Sequence, residues 1–242
     1  MDLRALAGSI LDWLYVPKCV SCGTPGKVLC DDCLSKLPPV GEHFCSKCGK
    51  PMAKGRRCRH CLTEEFRFRS CRAPYLYNGP AALLIKKLKY DGRRNIAPVL
   101  GGLLADFWKD LGWSVDLAVP VPLSAQRRAE RGFNQSELIG RDFTRKTGIP
   151  FRPGALARIR HTRTQVGLDA EKRRENLIGA FAAEPALVRG KTVLLLDDVM
   201  TTGSTFAECT GVLLDAGAGS VFCLSAATAA LEFGTQKTLN EL

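Results

Sequence analysis

No stretch of this sequence reaches the roughly 18 apolar residues that a membrane-spanning helix needs. A full Walker loop, a Gly-x-Gly-x-x-Gly turn and a His-Glu-x-x-His helix are all missing, so the common P-loop, dinucleotide and zinc-protease signatures do not apply. Leu3 to Val16 is apolar, but Asp12 interrupts it and neither a basic start nor a small-residue cleavage site frames it. An amphipathic helix is expected there, not a signal peptide. Without an export signal, the Asn134-Gln135-Ser136 sequon is expected to be accidental and the chain cytoplasmic. Acids are in deficit too: 24 Asp and Glu face 35 Lys and Arg in 242 residues, a formal charge of +11. The remaining composition is ordinary, 45% hydrophobic and 24% charged, which excludes a disordered or fibrous chain.

The basic surplus is concentrated. Lys54 to Arg94 holds twelve Lys or Arg against three acids, and Arg127 to Arg174 holds thirteen against five, so the rest of the chain is net acidic. Such stretches point to polyanion partners, nucleic acid or phosphorylated small molecules, or else to plainly solvated faces.

Cysteine is plentiful, at eleven, and unevenly placed. Eight fall in four Cys-x-x-Cys pairs: Cys19/Cys22, Cys30/Cys33, Cys45/Cys48 and Cys58/Cys61. Each such turn aims two sulfurs at one point, and two turns complete a tetrahedral thiolate cage for zinc. Gly23 and Gly49 follow two of the pairs, which suits a tight knuckle needing positive φ. Two structural zinc ions are therefore expected, since no cage position is left for water; a reducing cytosol disfavours disulfides. Pairing in sequence order is the expected arrangement, with an interleaved cross-brace as the alternative. His43 and His60 read as bystanders, and Cys71, Cys209 and Cys223 as small core residues. So short a piece, poor in large apolar residues, needs its metal to fold.

From about Arg72 strands and helices alternate. Strands are expected over Ala73 to Tyr77, Asp116 to Val121, more weakly Leu156 to Ile159, then Thr192 to Asp197 and Val221 to Ala227. Helices are expected over Ala81 to Tyr90, Ile96 to Leu111, Asn134 to Lys146 (stopped by Gly148 and Pro150), around Ala170 to Ile178, and from Gly203 to Ala216. The run Thr192-Val193-Leu194-Leu195-Leu196 fits a strand buried on both faces, so the class is α/β: a parallel sheet flanked by helices. In such sheets ligands sit beyond the carboxyl ends of the strands. There stand Asp197 and Asp198, then Val199-Met200-Thr201-Thr202-Gly203-Ser204-Thr205, a hydroxyl-rich turn opening a helix. Free N–H groups at that helix start make a phosphate cradle, and two acids beside it call for sugar hydroxyls or magnesium.

Leu194 to Thr205 resembles the phosphoribosyl pyrophosphate (PRPP) signature of type I phosphoribosyltransferases. Pro120-Val121-Pro122, Arg128, Arg131-Gly132-Phe133-Asn134-Gln135, Thr164-Gln165 with Arg173 to Asn176, and the helix ending Lys86-Lys87-Leu88-Lys89-Tyr90 resemble the ComF competence-protein family, as does a double zinc ribbon placed ahead. The resemblance runs from Pro17 to about Ala227. It implies a double zinc ribbon over 17–65 and a phosphoribosyltransferase-like domain over 72–230, set between the amphipathic helix expected over 1–16 and a polar tail over 231–242. It implies that Asp197 and Asp198, the catalytic candidates, take the ribose hydroxyls of PRPP, and that Thr201, Thr202, Gly203, Ser204 and Thr205 hold its 5′-phosphate. Pro122, Leu123 and Ser124 would form the pyrophosphate loop, with Arg128, Arg131 and Arg163 as contacts. Arg158 to Arg174, with Arg163 and Gln165, would form a closing lid. Zinc, and Mg2+ arriving with PRPP, are the implied cofactors.

Leu123-Ser124-Ala125-Gln126 departs from the transferase pattern, having no glycine to turn backbone N–H groups toward pyrophosphate. Two functions are therefore expected in competition. One is a competence module that binds PRPP or a nucleotide, and single-stranded DNA, in DNA uptake and natural transformation beside a helicase. The other is an active Mg-dependent phosphoribosyltransferase with an unnamed base or amine acceptor. The aromatics Phe66, Phe68, Tyr75, Tyr77 and Tyr90 lie in the first basic stretch, where they read either as stacking platforms for single-stranded DNA or as core. A homodimer is expected only by analogy with related folds.

Overall fold

Thr192–Met200 (β6) forms the centre of a parallel sheet, because its unbroken apolar run can be satisfied only by burial on both faces. The computed structural model describes residues 16–160 and 179–230. The expected helix over 1–16 and the tail over 231–242 therefore fall almost wholly outside the described residues. So do Arg163, Gln165 and the helix expected near Ala170. Strand β3 (Leu117–Pro120) pairs with β6 on one side, Leu117 opposite Val193, and β7 (Ser220–Thr228) pairs on the other, Leu195 opposite Cys223. Beyond β7, the expected strand near Ala73 is two short pieces, β1 (Cys71–Arg72) and β2 (Tyr75–Leu76), both parallel to β7. They are split at Ala73-Pro74, where proline has no N–H to give the ladder.

Side chains alternate across this sheet with period two. Leu117, Val119, Val193, Leu195, Val221 and Cys223 enter one core; Ala118, Leu194, Leu196, Leu224 and Ala226 enter the other. Helices Gly79–Tyr90, Ala97–Trp108 and Gln135–Thr147 cover the second face. Asn134 caps the last of these by accepting from the Ser136 N–H, and Gly148 ends it with φ 75°. The Ser204–Asp215 helix covers the first face, where Phe206, Cys209 and Leu213 are buried.

The cysteine-rich segment lies along the β1/β2 edge and touches both faces. Pro39 bridges Tyr75, and the Leu76 N–H donates to the Pro38 carbonyl at 2.8 Å. Cys19, Cys33, Leu29 and Leu37 join the core of the second face, while Cys45, Cys48, Cys58 and Cys61, with Phe66 and Phe68, join that of the first.

The sequence pattern misses several short elements. Ala125–Arg131 is a helix, so the loop after β3 ends at Ser124, whose hydroxyl accepts from the Arg127 N–H at 3.3 Å. Phe181–Ala183 (β5) pairs antiparallel with β4 (Leu156–Arg158), outside the main sheet, and Pro185–Val188 is a single helical turn.

Candidate functional site

The eight paired cysteines gather into two groups in sequence order: Cys19, Cys22, Cys30, Cys33 and Cys45, Cys48, Cys58, Cys61. Within each group all four sulfurs lie within 4.8 Å of one another. A tetrahedron of Zn–S bonds of about 2.3 Å has S···S edges of roughly 3.8 Å. The Cys22–Cys30 and Cys48–Cys58 separations are 3.6 and 3.7 Å, so both cages fit zinc in size and in donor chemistry. In the second cage a hydrogen bond from Cys61 holds the Cys48 thiol down to about 5, ready to ligate as thiolate. Gly49 takes φ 71°, and any Cβ there would lie 2.5 Å from the Cys71 carbonyl oxygen, which ties this knuckle to β1. Neither His43 nor His60 belongs to a cage.

At the carboxyl ends of β3 and β6 lies a cleft of about 210 Å³. The acids sit inside β6, not after it, because the strand continues to Met200. Asp197 Oδ1 accepts from Ser136 Oγ at 2.7 Å and from the Asp198 N–H at 2.9 Å. Burial, followed by the Asp198 charge, pushes the Asp197 carboxyl up to about 7. Asp198 is buried and forms an ion pair with Lys89, the penultimate residue of the Gly79–Tyr90 helix. Burial opposes the charge on Lys89, but Asp198 more than offsets it, and the amine's pKa is raised.

Of the expected phosphate residues, Thr201 and Thr205 line the cleft. Gly203 starts the helix at φ 88°, a left-handed conformation that glycine adopts without strain. Thr202 Oγ1 lies 2.8 Å from Ser204 Oγ and accepts from the Ser204 N–H at 3.3 Å, so those hydroxyls serve the turn itself. Pro122 and Leu123 line the cleft, whereas Ser124 is spent as a helix cap. Arg128 pairs with Glu137 at 3.3 Å, and Arg131 donates to Gln135 at 2.5 Å and lies 5.6 Å from the Tyr90 ring centre; neither is in the cleft wall.

The cations that do line the cleft are Lys89, Arg127 and Arg158, joined by Tyr77, Gln135 and Ser136. Arg158 opens the stretch expected to form a lid, and Lys89 lies in the last turn of the helix already noted for its motif. Their convergence comes from the crossing of four separate elements, which spacing along the chain does not show. Of the five interleaved aromatics, Phe66 and Phe68 are core and Tyr75 and Tyr77 half-buried; Tyr90 is 72% exposed. No helix among the described residues is long and apolar enough to cross a membrane.

The double zinc ribbon domain family matches residues 10–62. Over 204 residues the chain is 35% identical to the DNA utilization protein YhgH of Escherichia coli O157:H7, covering 81% of this chain and 89% of that protein. It is 32% identical over 197 residues to competence protein F of Haemophilus influenzae, covering 78% of this chain and 85% of that one. Among solved structures, a glutamine PRPP amidotransferase from B. subtilis aligns at 23% identity and a TM-score of 0.37, over 53% of this chain and 25% of that enzyme.

Proposed function

The chain belongs to the family of competence protein F and the DNA utilization protein YhgH, and on that premise we propose that it works in DNA uptake, binding a phosphorylated ribose such as PRPP in its cleft and single-stranded DNA on its basic surface. One observation carries this reading. Lys89, Arg127 and Arg158 meet Asp197, Asp198, Thr201 and Thr205 around a single cleft, so cations for phosphates and carboxylates for sugar hydroxyls share one small volume.

The residues divide the ligand between them. The hydroxyls of Thr201 and Thr205, at the start of a twelve-residue helix, take the 5′-phosphate. Asp197, held by Ser136, accepts from a ribose hydroxyl. Asp198 does the same while Lys89, its present partner, turns part of its donor capacity to the ligand's phosphates. Arg127 and Arg158 neutralise the pyrophosphate end. Two adjacent carboxylates suit Mg2+ that stays bound to substrate phosphates and keeps several waters, unlike an all-protein cage. That ion would offset the charge on pyrophosphate.

Binding without rapid turnover is the favoured form. Displacement at the anomeric carbon leaves negative charge on departing pyrophosphate, and stabilisation of it depends on fixed donors aimed at that point. The helix that begins at Ala125 replaces the glycine-bearing loop that would supply such backbone donors. Calorimetry of PRPP with Mg2+ tests the site: micromolar binding to wild type, lost in Asp197→Asn/Asp198→Asn, is expected. Absence of binding to wild type sinks the reading, and exchange of labelled pyrophosphate into PRPP would show an active transferase instead. For the DNA half, affinity for a single-stranded oligonucleotide should fall roughly 10³-fold between 50 and 200 mM salt if several phosphates are contacted.

A further inference from the structure

We infer that His60, inside the second zinc knuckle, is a positioning residue that sets the conformation of the Thr201–Thr205 phosphate loop, so that metal binding in the ribbon and anion binding in the cleft are linked. This rests on the reading of that loop as the phosphate holder.

His60 lies on the short Arg59–Thr63 helix between the ligands Cys58 and Cys61, and the cage is complete without it. Its Nε2 is 3.2 Å from the carbonyl oxygen of Thr202, 142 residues away in sequence. A carbonyl can only accept, so Nε2 carries the hydrogen and donates it. The imidazole also meets the Phe66 ring edge-on, with centres 5.2 Å apart and planes at 64°. Phe66 in turn stacks on the fully buried Phe68 at 4.9 Å. A Cβ at Gly203 would lie 3.4 Å from Phe66 Cζ, so that ring closes the space beneath the glycine.

The Thr202–Gly203 peptide is thus held from the ribbon side, its carbonyl by His60 and its glycine by Phe66. Because the peptide is planar and trans, fixing the carbonyl toward the ribbon turns the Gly203 N–H away from it. Gly203 is the residue that starts the helix, so this one peptide sets how the first turn meets an anion. The connection is narrow. Beside it the ribbon and the Ser204–Asp215 helix are parted by a groove of about 680 Å³, lined in part by Glu64, Glu65 and Glu208. Zinc in the second cage fixes the Cys58–Cys61 turn, and through it the height of His60 against the loop. Among the described residues the first cage makes no such contact: its buried cysteines belong to the core of the opposite face.

The test uses the full, zinc-loaded chain and three proteins: wild type, His60→Ala and His60→Gln, whose Nε2 can replace the imidazole donor. Zinc content, melting temperature and PRPP–Mg2+ affinity are measured together. His60→Ala should bind PRPP about tenfold more weakly, as for loss of one oriented hydrogen bond, with two zincs retained, and His60→Gln should recover most of that loss. In the free protein, amide exchange at Thr202–Ser204 should speed several-fold in His60→Ala and return in His60→Gln. Unchanged affinity and exchange in His60→Ala would overturn the inference, as would a loss of zinc that Gln fails to repair. If wild type binds no PRPP, the proposed ligand falls, and the exchange measurement alone still judges the link.

Discussion

In the first cage Cys22 is exposed and Cys30 half-buried, with only Cys19 and Cys33 buried, whereas Cys45, Cys48, Cys58 and Cys61 are all buried. The motifs are near copies: the inner cysteines are eight positions apart in the first and ten in the second. What differs is the surroundings. The second cage packs with Phe66, Phe68, Met200 and Phe206 beneath the Thr201–Thr205 turn, and the first packs with Leu29 and Leu37 at the flank of the helical face. Ligand identity is a property of spacing, but the consequence of losing a ligand is a property of burial. The same contrast recurs in the cleft, between Asp197 and Asp198, and among the ion pairs, between Lys89–Asp198 and Arg67–Asp215.

The largest expected effect separates the two cages. Cys61→Ser removes a buried ligand from a site whose metal free energy is folding free energy, of the order of 10 kcal/mol for structural zinc. The product should be largely insoluble or lack a cooperative melt. Cys22→Ser should remain folded, keep one tightly held zinc and lose several degrees in melting temperature. Zinc analysis and circular dichroism read both, and equal damage from the two substitutions would erase the distinction.

Next comes the buried ion pair. The Lys89 and Asp198 side chains are 18% and 4% exposed. Asp198→Asn strands a buried ammonium and should cost about 3 kcal/mol, as for other half-removed buried pairs. Lys89→Met/Asp198→Leu should recover much of that stability while leaving PRPP unbound. Denaturant melts of the single and double variants measure the coupling; additive losses would mean that the two groups do not depend on each other.

How much of this was legible in the sequence follows from the same contrast. Cysteine spacing called for two four-thiolate sites, with sequential pairing expected beside an interleaved alternative, and the apolar run from Thr192 identified the central strand, because both signals are local. The acids and hydroxyls of the cleft were readable as one continuous motif. Lys89, Arg127 and Ser136 were not, since they come from different helices and face the acids only once those helices pack on the sheet. His60 gave no signal at all: a histidine inside a knuckle looks like a bystander until Thr202 lies against it. The helix at Ala125 was missed for a different reason. Seven residues rich in arginine, with none of them buried, carry no periodic apolar face to read.

Asp197 offers a smaller effect with a definite sign. Its carboxyl titrates near 7 in the folded chain against an ordinary value of 3.8, mainly through burial. Between about pH 4 and pH 7 the folded state therefore holds a proton that the unfolded state has released, and stability falls as pH rises through this window. Asp197→Asn removes that slope and still accepts from Ser136. It should match wild type at the acid end and exceed it by about 2 kcal/mol at pH 8, allowing for solvent screening of a partly exposed group. Both proteins shed zinc alike in acid, so the difference between their melting curves is the diagnostic quantity. A wild type that gains stability relative to the variant as pH rises would show the carboxylate to be stabilised by its surroundings.

The smallest effect belongs to the pair that looks most like a strap between ribbon and helix. Arg67 Nη1 reaches Asp215 Oδ1 at 2.8 Å, with side chains 51% and 70% exposed. Water screens both charges, and ordering two mobile side chains offsets much of their attraction, so Arg67→Ala should cost less than about 1 kcal/mol. What little it contributes should fade further at 1 M salt, where screening acts over about 3 Å. PRPP affinity should be unchanged in this variant, in contrast to His60→Ala, although both residues bridge the same two parts of the chain. A loss of affinity in Arg67→Ala equal to that in His60→Ala would mean that the loop responds to any loosening of the ribbon, and that the short path from the second cage through His60 has no special role.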